Sequence, residues 1–175
     1  MELRPTPLAG AFLVETNVSK DGRGSFYRAF CQREFTAQGL PGSFVQSSIS
    51  RNRLRGTVRG LHFQAEPKPE AKLVRCIRGT VWDVIVDLRR ESPTFCRWFS
   101  VELSETNALA LYIPAGLAHG FQTLEDASDL LYLMTEFYEP SMAGGVNYRD
   151  PSFGISWPLE VAAISDRDRD LPKFT

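Results

Sequence analysis

Thr80-Val81-Trp82-Asp83-Val84-Ile85-Val86-Asp87-Leu88 is a run of β-branched, aromatic and aliphatic residues broken only by two acids. Drawn as a strand, it puts Trp82, Val84, Val86 and Leu88 on one face and Val81, Asp83, Ile85 and Asp87 on the other. Similar short runs lie to either side: Ala11–Glu15, Ser25–Phe30, Phe44–Ser48, Thr57–Gln64, Ala71–Arg78, Cys96–Leu103, Ala110–Pro114, Ala118–Thr123 and Ser128–Phe137. Between them stand turn formers, among them Asp21-Gly22, Arg78-Gly79, Ser92-Pro93, Pro114-Ala115-Gly116 and Glu125-Asp126. Short strands at regular spacing with such punctuation predict an all-β barrel or sandwich. Helical periodicity is weak and allows short helices only, near Gln32–Gln38, around Ser104–Asn107 and in the C-terminal tail.

Composition narrows the function classes. The 175 residues fit one domain, 1–175, with a real core. A net charge of −1 provides no field to hold a nucleic acid backbone, and basic stripes with interleaved exposed aromatics are missing. Cys31, Cys76 and Cys96 are odd in number with no C-x-x-C spacing, as in a reduced, intracellular (cytoplasmic) protein. Met1–Val14 does not read as a signal peptide, and no apolar run is long enough for a membrane span.

The chain holds only two histidines, each in a compact setting: Gly60-Leu61-His62-Phe63 and His119-Gly120-Phe121. Histidine moves protons near neutral pH more readily than any other unperturbed side chain. His62 lies between Arg59 and Lys72, which suggests proton transfer beside an anion; a structural histidine on a strand is the alternative. In a regular strand Arg59 points away from His62, so a shared site requires a bulge at Gly60. Tyr132 and Tyr138 fall on one face of Ser128–Tyr138 with Leu130, Met134 and Glu136, either as core aromatics or as two phenols aimed into one space. Leu131, Leu133, Thr135 and Phe137, on the other face, read as core. Arg51, Arg53, Arg55 and Arg59, with Lys72, Arg75 and Arg78 on an expected hairpin neighbour, form either a solvated edge or a phosphate pocket. With no H-x-H and two distant histidines a metal site is not expected, and no cysteine has a nucleophile's setting. Ser165–Asp170 alternates charge, as a solvated tail does; a carboxylate from it could instead fold back and orient His62.

Taken in order, many motifs resemble the dTDP-4-dehydrorhamnose 3,5-epimerase family. They are Asp21-Gly22-Arg23-Gly24-Ser25-Phe26, Phe44-Val45-Gln46, Thr57–Gln64, Ala71–Arg75, Asp83–Arg89, Ser92–Phe95 and Ile113–Phe121. Tyr132, Tyr138, Asp150-Pro151, Gly154–Pro158 and Ile164–Asp168 continue the match. The resemblance implies a cupin-type jelly roll acting without cofactor or metal on a nucleotide-diphosphate-linked 4-keto-6-deoxy sugar, as a homodimer. It implies His62 as general base, Tyr132 as the acid on the opposite face of the sugar, Lys72 as enolate stabiliser and Asp168 as partner of His62. Gln46, Arg59 and His119 resemble substrate contacts, Tyr138 the residue stacking on the nucleotide base, and Arg23 and Phe26 a segment lent to the neighbouring subunit's site. Arg28, Ser47, Ser48 and Ala143 depart from residues usual in the family (Glu, Asp, Asn and Glu), which bears on the nucleotide or sugar accepted. A 3,4-ketoisomerase or a non-catalytic nucleotide-sugar-binding jelly roll on the same scaffold are the alternatives.

Overall fold

The computed structural model describes residues 1–174. Thirteen strands and two short helices follow one another as β1 (Glu2–Pro5), β2 (Phe12–Glu15), β3 (Ser19–Asp21), β4 (Gly24–Phe26), α1 (Gln32–Thr36), β5 (Gln46–Asn52), β6 (Val58–Gln64), β7 (Lys72–Arg78), β8 (Thr80–Asp87), β9 (Trp98–Ser104), β10 (Ala110–Ile113), β11 (Leu117–Thr123), β12 (Ser128–Met134), β13 (Ala143–Gly145) and α2 (Asp166–Arg169). Two antiparallel sheets face each other: six strands in the order β1-β2-β10-β7-β12-β5, and five in the order β13-β6-β11-β8-β9. The β3–β4 hairpin stands apart as a two-stranded ribbon.

Period-two alternation sorts the apolar residues into three clusters. Val74, Cys76, Leu111 and Leu130 from one sheet meet Val81, Ile85, Leu103 and Phe121 from the other in the space between the sheets. The outer face of the six-stranded sheet offers Leu73, Ala110, Tyr112 and Leu133 to Phe30, Phe35 and Phe44, from α1 and the segments flanking it. The outer face of the five-stranded sheet offers Leu61, Trp82, Val84 and Val86, which the C-terminal segment covers with Val146, Phe153 and Trp157. Burying a side chain of this size is worth about 1.5–3 kcal/mol. Residues 146–174 are therefore held to the sheet by their own core, and α2 is carried to the rim of β6.

The two faces expected for Val81–Leu88 are those observed. Several expectations are corrected. β6 and β7 are not hairpin neighbours; they belong to opposite sheets. The polypeptide between them contains Pro67 and Pro69, and neither can donate to a ladder. Ser25–Phe30 is a strand only as far as Phe26, and Phe44–Ser48 is displaced to β5. β12 stops at Met134: Thr135 faces Ala71 in the same register and donates its N–H to Ala71 O at 3.0 Å, but the Ala71 N–H goes to the Thr135 hydroxyl at 2.8 Å, so a side chain ends the ladder. Leu131 and Leu133 lie on the half-buried outer face, while Leu130, Tyr132 and Met134 point inward. Ser104–Asn107 is a capped turn, the Asn107 side chain accepting from Ser104 N–H at 3.1 Å. β1, β3 and β13 carried no strand signal, since Pro5 and the Ala143-Gly144-Gly145 run are poor strand formers.

Candidate active site

His62 owes its aim to an irregularity in β6. Phe121 pairs with Arg59 and His119 with His62, so β6 spends one more residue than β11 across that interval. Gly60 takes up the difference at φ +112°, and a Cβ there would sit 2.7 Å from Gly120 Cα and from His119 O. Only glycine fits. The bulge brings Arg59 and His62 to the same side, where both border an inner hollow of about 200 Å³ with Lys72, His119 and Tyr132. Arg59 is steadied by its Nε–H donating to Asn52 Oδ1 at 2.8 Å.

The inner hollow shares His62, Lys72 and Tyr132 with a wider cavity of about 460 Å³, whose walls include Gln46, Ser48, Glu70, Tyr138, Ala143 and Arg167. His62 enters from the five-stranded sheet, Lys72 and Tyr132 from the six-stranded one, so any ligand between them is approached from opposite sides.

Asp168 is the fold-back carboxylate. Its Oδ1 lies 2.7 Å from His62 Nε2, its Oδ2 accepts from the Gly60 N–H at 3.0 Å, and Ser165 Oγ accepts from its own N–H at 3.1 Å. Burial opposes its ionisation, but His62, Gly60 and Ser165 outweigh burial and hold the carboxyl below the usual carboxylate range. An ionised carboxylate only accepts, so in this contact Nε2 is the protonated, donating nitrogen and the ring's other nitrogen is left without Asp168 as a partner.

On the opposite wall the Tyr132 phenol is pushed well above the usual tyrosine value by burial and by the Asp83 carboxylate, with Arg59 opposing. It is a neutral proton donor at physiological pH. Its ring meets His119 edge-on, centroids 5.8 Å apart, and His119 Nε2 contacts both Asp83 oxygens at 2.8 and 3.0 Å. Burial raises the Asp83 carboxyl while His119 and Lys72 pull it down. Lys72 is nearly buried and its Nζ lies 3.1 Å from Glu70 Oε1.

The structure thus gathers His62, Asp168, Lys72, Tyr132, Arg59, His119, Gln46 and Tyr138. Tyr138 lies beyond the end of β12 on an exposed loop, fixed by its N–H donating to Gln46 Oε1 at 2.5 Å. Arg23 and Phe26 are elsewhere: they border a separate surface hollow on the β3–β4 ribbon, Phe26 is 80% exposed and Arg23 pairs with Asp21 at 2.6 Å. The expected arginine cluster is dispersed. Arg51, Arg53 and Arg55 are exposed outside the cavity, and Arg75 is buried on the outer face over the Tyr27 ring. Of the four departures, Ser48 and Ala143 line the cavity, Ser47 is exposed, and Arg28 pairs with Glu34 at 2.9 Å. Glu70, Arg167 and Asp83 went unassigned in the sequence. Glu70 was legible in hindsight, two residues before Lys72 and hence on its face of an extended chain. Among the described residues no cluster of His, Cys, Asp or Glu is arranged to hold a metal ion.

A family model described as dTDP-4-dehydrorhamnose 3,5-epimerase matches residues 5–175. The dTDP-4-dehydrorhamnose 3,5-epimerase of Methanothermobacter thermautotrophicus is 45% identical over 168 residues, which cover 94% of this chain and 90% of that one. The crystal structure of the Bacillus anthracis dTDP-4-dehydrorhamnose 3,5-epimerase with TDP and PPi bound superposes with a TM-score of 0.96 at 38% identity, covering 99% of each chain. The 3'-monoepimerase ChmJ of Streptomyces bikiniensis in complex with dTDP-quinovose gives 0.90 at 36% identity, covering 97% of this chain and 86% of that one.

Proposed function

The chain belongs to the dTDP-4-dehydrorhamnose 3,5-epimerase family, and from that membership and the cavity's geometry we propose how its residues invert a nucleotide-linked 4-keto-6-deoxyhexose. It is an epimerase, and the proton transfers are the part its own side chains must explain. The C4 ketone acidifies the hydrogens at C3 and C5, because either carbanion delocalises onto the ketone oxygen. His62 Nδ1 removes the proton from one face, with Asp168 stabilising the imidazolium that forms. Lys72 faces the developing enolate oxygen, and loss of such a stabiliser costs roughly 10²–10³ in turnover. The neutral Tyr132 phenol returns a proton from the other face, which inverts the centre. The observation that carries this reading is the His62–Asp168 contact of 2.7 Å on one wall of a cavity whose other wall holds Tyr132.

In this reading Tyr138 stacks on the base at the mouth, Gln46 and Arg59 contact the nucleotide diphosphate, and His119 contacts the sugar. Residues 1–175 act as one domain, in the cytoplasm and as a homodimer in which Arg23 and Phe26 reach the neighbouring cavity; the 80% exposure of Phe26 supports a role outside its own subunit. The nucleotide is dTDP, with Ser48 and Ala143 tuning the sugar or base accepted. Solvent deuterium incorporation tests the reading: dTDP-, CDP-, GDP- and UDP-linked 4-keto-6-deoxy sugars are incubated in D₂O and followed by NMR. Exchange at C3, C5 or both is expected with the dTDP sugar. Absence of exchange with every member of the panel would overturn it.

A further inference from the structure

We propose that Glu70 is the positioning residue of Lys72, holding the ammonium so that one N–H points at the enolate oxygen; this rests on the role given to Lys72 above. Glu70 Oε1 lies 3.1 Å from Lys72 Nζ, and both side chains line the main cavity while keeping only 11% and 10% of their surface exposed. The second contact of the ammonium is the His62 carbonyl oxygen at 3.4 Å. An ammonium has three donors. Two are occupied by the protein, and the third is left for the cavity.

Lysine is a flexible point charge, and its stem alone does not fix its head. The surroundings of Glu70 supply the missing rigidity. Gln64, itself buried, donates from Nε2 to Lys68 O at 2.7 Å and to Phe137 O at 3.1 Å, and its Oε1 accepts from the Glu139 N–H at 2.9 Å. Those bonds tie the Pro67–Pro69 loop to the segment after β12. On the other side of Glu70, Ala71 is bonded to Thr135 through its N–H at 2.8 Å and its carbonyl at 3.0 Å. Glu70 is therefore gripped on both flanks. Extended geometry then sets its side chain beside that of Lys72 on the cavity face. A fixed carboxylate and a fixed carbonyl make the ammonium a preorganised donor that need not reorient as charge develops.

The test uses the full-length chain with Glu70→Ala, Glu70→Asp, Glu70→Gln, Lys72→Met and the Glu70→Ala/Lys72→Met double variant. Exchange of the 4-keto sugar in D₂O gives kcat and KM, and ¹⁵N NMR follows the Lys72 ammonium. Glu70→Ala should lower kcat about 10- to 100-fold, the range of a misplaced catalytic group, with KM within about threefold. Glu70→Gln keeps an acceptor oxygen and should stay within about fivefold of the unmodified protein. On the Lys72→Met background Glu70→Ala should cost nothing further, because both act through one ammonium. The immobilised ammonium resonance should be present in the unmodified protein and lost in Glu70→Ala. Unchanged kcat in Glu70→Ala, or a penalty that persists in the double variant, overturns the proposal. Should Glu70→Ala not fold, Glu70→Asp with unimpaired kcat overturns it equally. No exchange in the unmodified protein removes the assigned reaction, while robust exchange indifferent to Glu70 removes only this role.

Discussion

Asp168→Asn is the change whose outcome the geometry constrains most tightly. The two carboxylate oxygens have different partners: Oδ2 accepts from the Gly60 N–H at 3.0 Å, and Oδ1 lies 2.7 Å from His62 Nε2. A backbone N–H can only donate, so the amide must turn its oxygen to Gly60 and its NH₂ to His62. Nε2 then becomes the acceptor and the proton moves to Nδ1, the nitrogen that should receive the substrate's hydrogen. The lost charge-assisted bond alone is worth about 1.5–3 kcal/mol, or roughly 10- to 150-fold in rate. The reversed tautomer adds to this and brings the expected loss to about 10³–10⁴, the size seen when a triad aspartate is changed to asparagine in a serine protease. Asp168→Ala leaves the imidazole free to take either tautomer and should cost only about 10- to 100-fold. The assay is deuterium wash-in at C3 and C5 of the 4-keto sugar, per mole of folded protein. Asn should be worse than Ala. An Asp168→Asn variant as active as Asp168→Ala, or within about threefold of the unmodified protein, would refute the hydrogen-bond reasoning.

If Tyr132 is the opposite-face acid proposed above, Tyr132→Phe should retain deuterium wash-in at the centre assigned to His62 while losing the inverted product; loss of wash-in there would place Tyr132 in the abstraction step. Gly60→Ala forces a Cβ to 2.7 Å from Gly120 Cα at φ +112° and should lower the melting temperature by about 10 °C, measured by circular dichroism; an unchanged melt would contradict the requirement for glycine. Burial opposes ionisation of Asp87, but Arg89, Ser92 and Thr94 outweigh it and bring its carboxyl down from 3.8 to about 2. Being depressed in the folded state, it contributes roughly 2 kcal/mol above pH 4, lost as pH falls toward 2. Denaturant titrations across that window should show a steeper loss for the unmodified protein than for Asp87→Asn; parallel curves would contradict this.

Much of this was legible in the residues because alternation is local. The faces of Val81–Leu88, the shared face of Leu130, Tyr132 and Met134, and the bulge demanded at Gly60 all follow from period two and from glycine's freedom, but alternation alone puts the core on the Leu131–Leu133 face, and only the second sheet shows that the Leu130 face is the inward one. What was not legible is which sheet a strand joins. Thr57–Gln64 and Ala71–Arg78 read as a hairpin, yet the Pro67–Pro69 loop sends them to opposite sheets, and that separation is what places His62 across the cavity from Lys72. The arginines at 51, 53 and 55 look like partners of Arg59 in sequence, but the same alternation and the turn before β6 leave them outside. Asp168 could not be told from a solvated tail by spacing, since its position depends on Trp157, Phe153 and Val146 covering the five-stranded sheet. Glu70 carried a signal, two residues from Lys72, that becomes meaningful only once Lys72 is known to face the cavity.

The proposed chemistry depends most on His62 as the group that takes the proton, and the direct measurement is the rate of deuterium incorporation at C3 and C5 with His62→Asn. Wash-in at both centres should fall by about 10³-fold or more while the variant still binds dTDP and melts as a folded protein. Incorporation at either centre within about tenfold of the unmodified protein would contradict it.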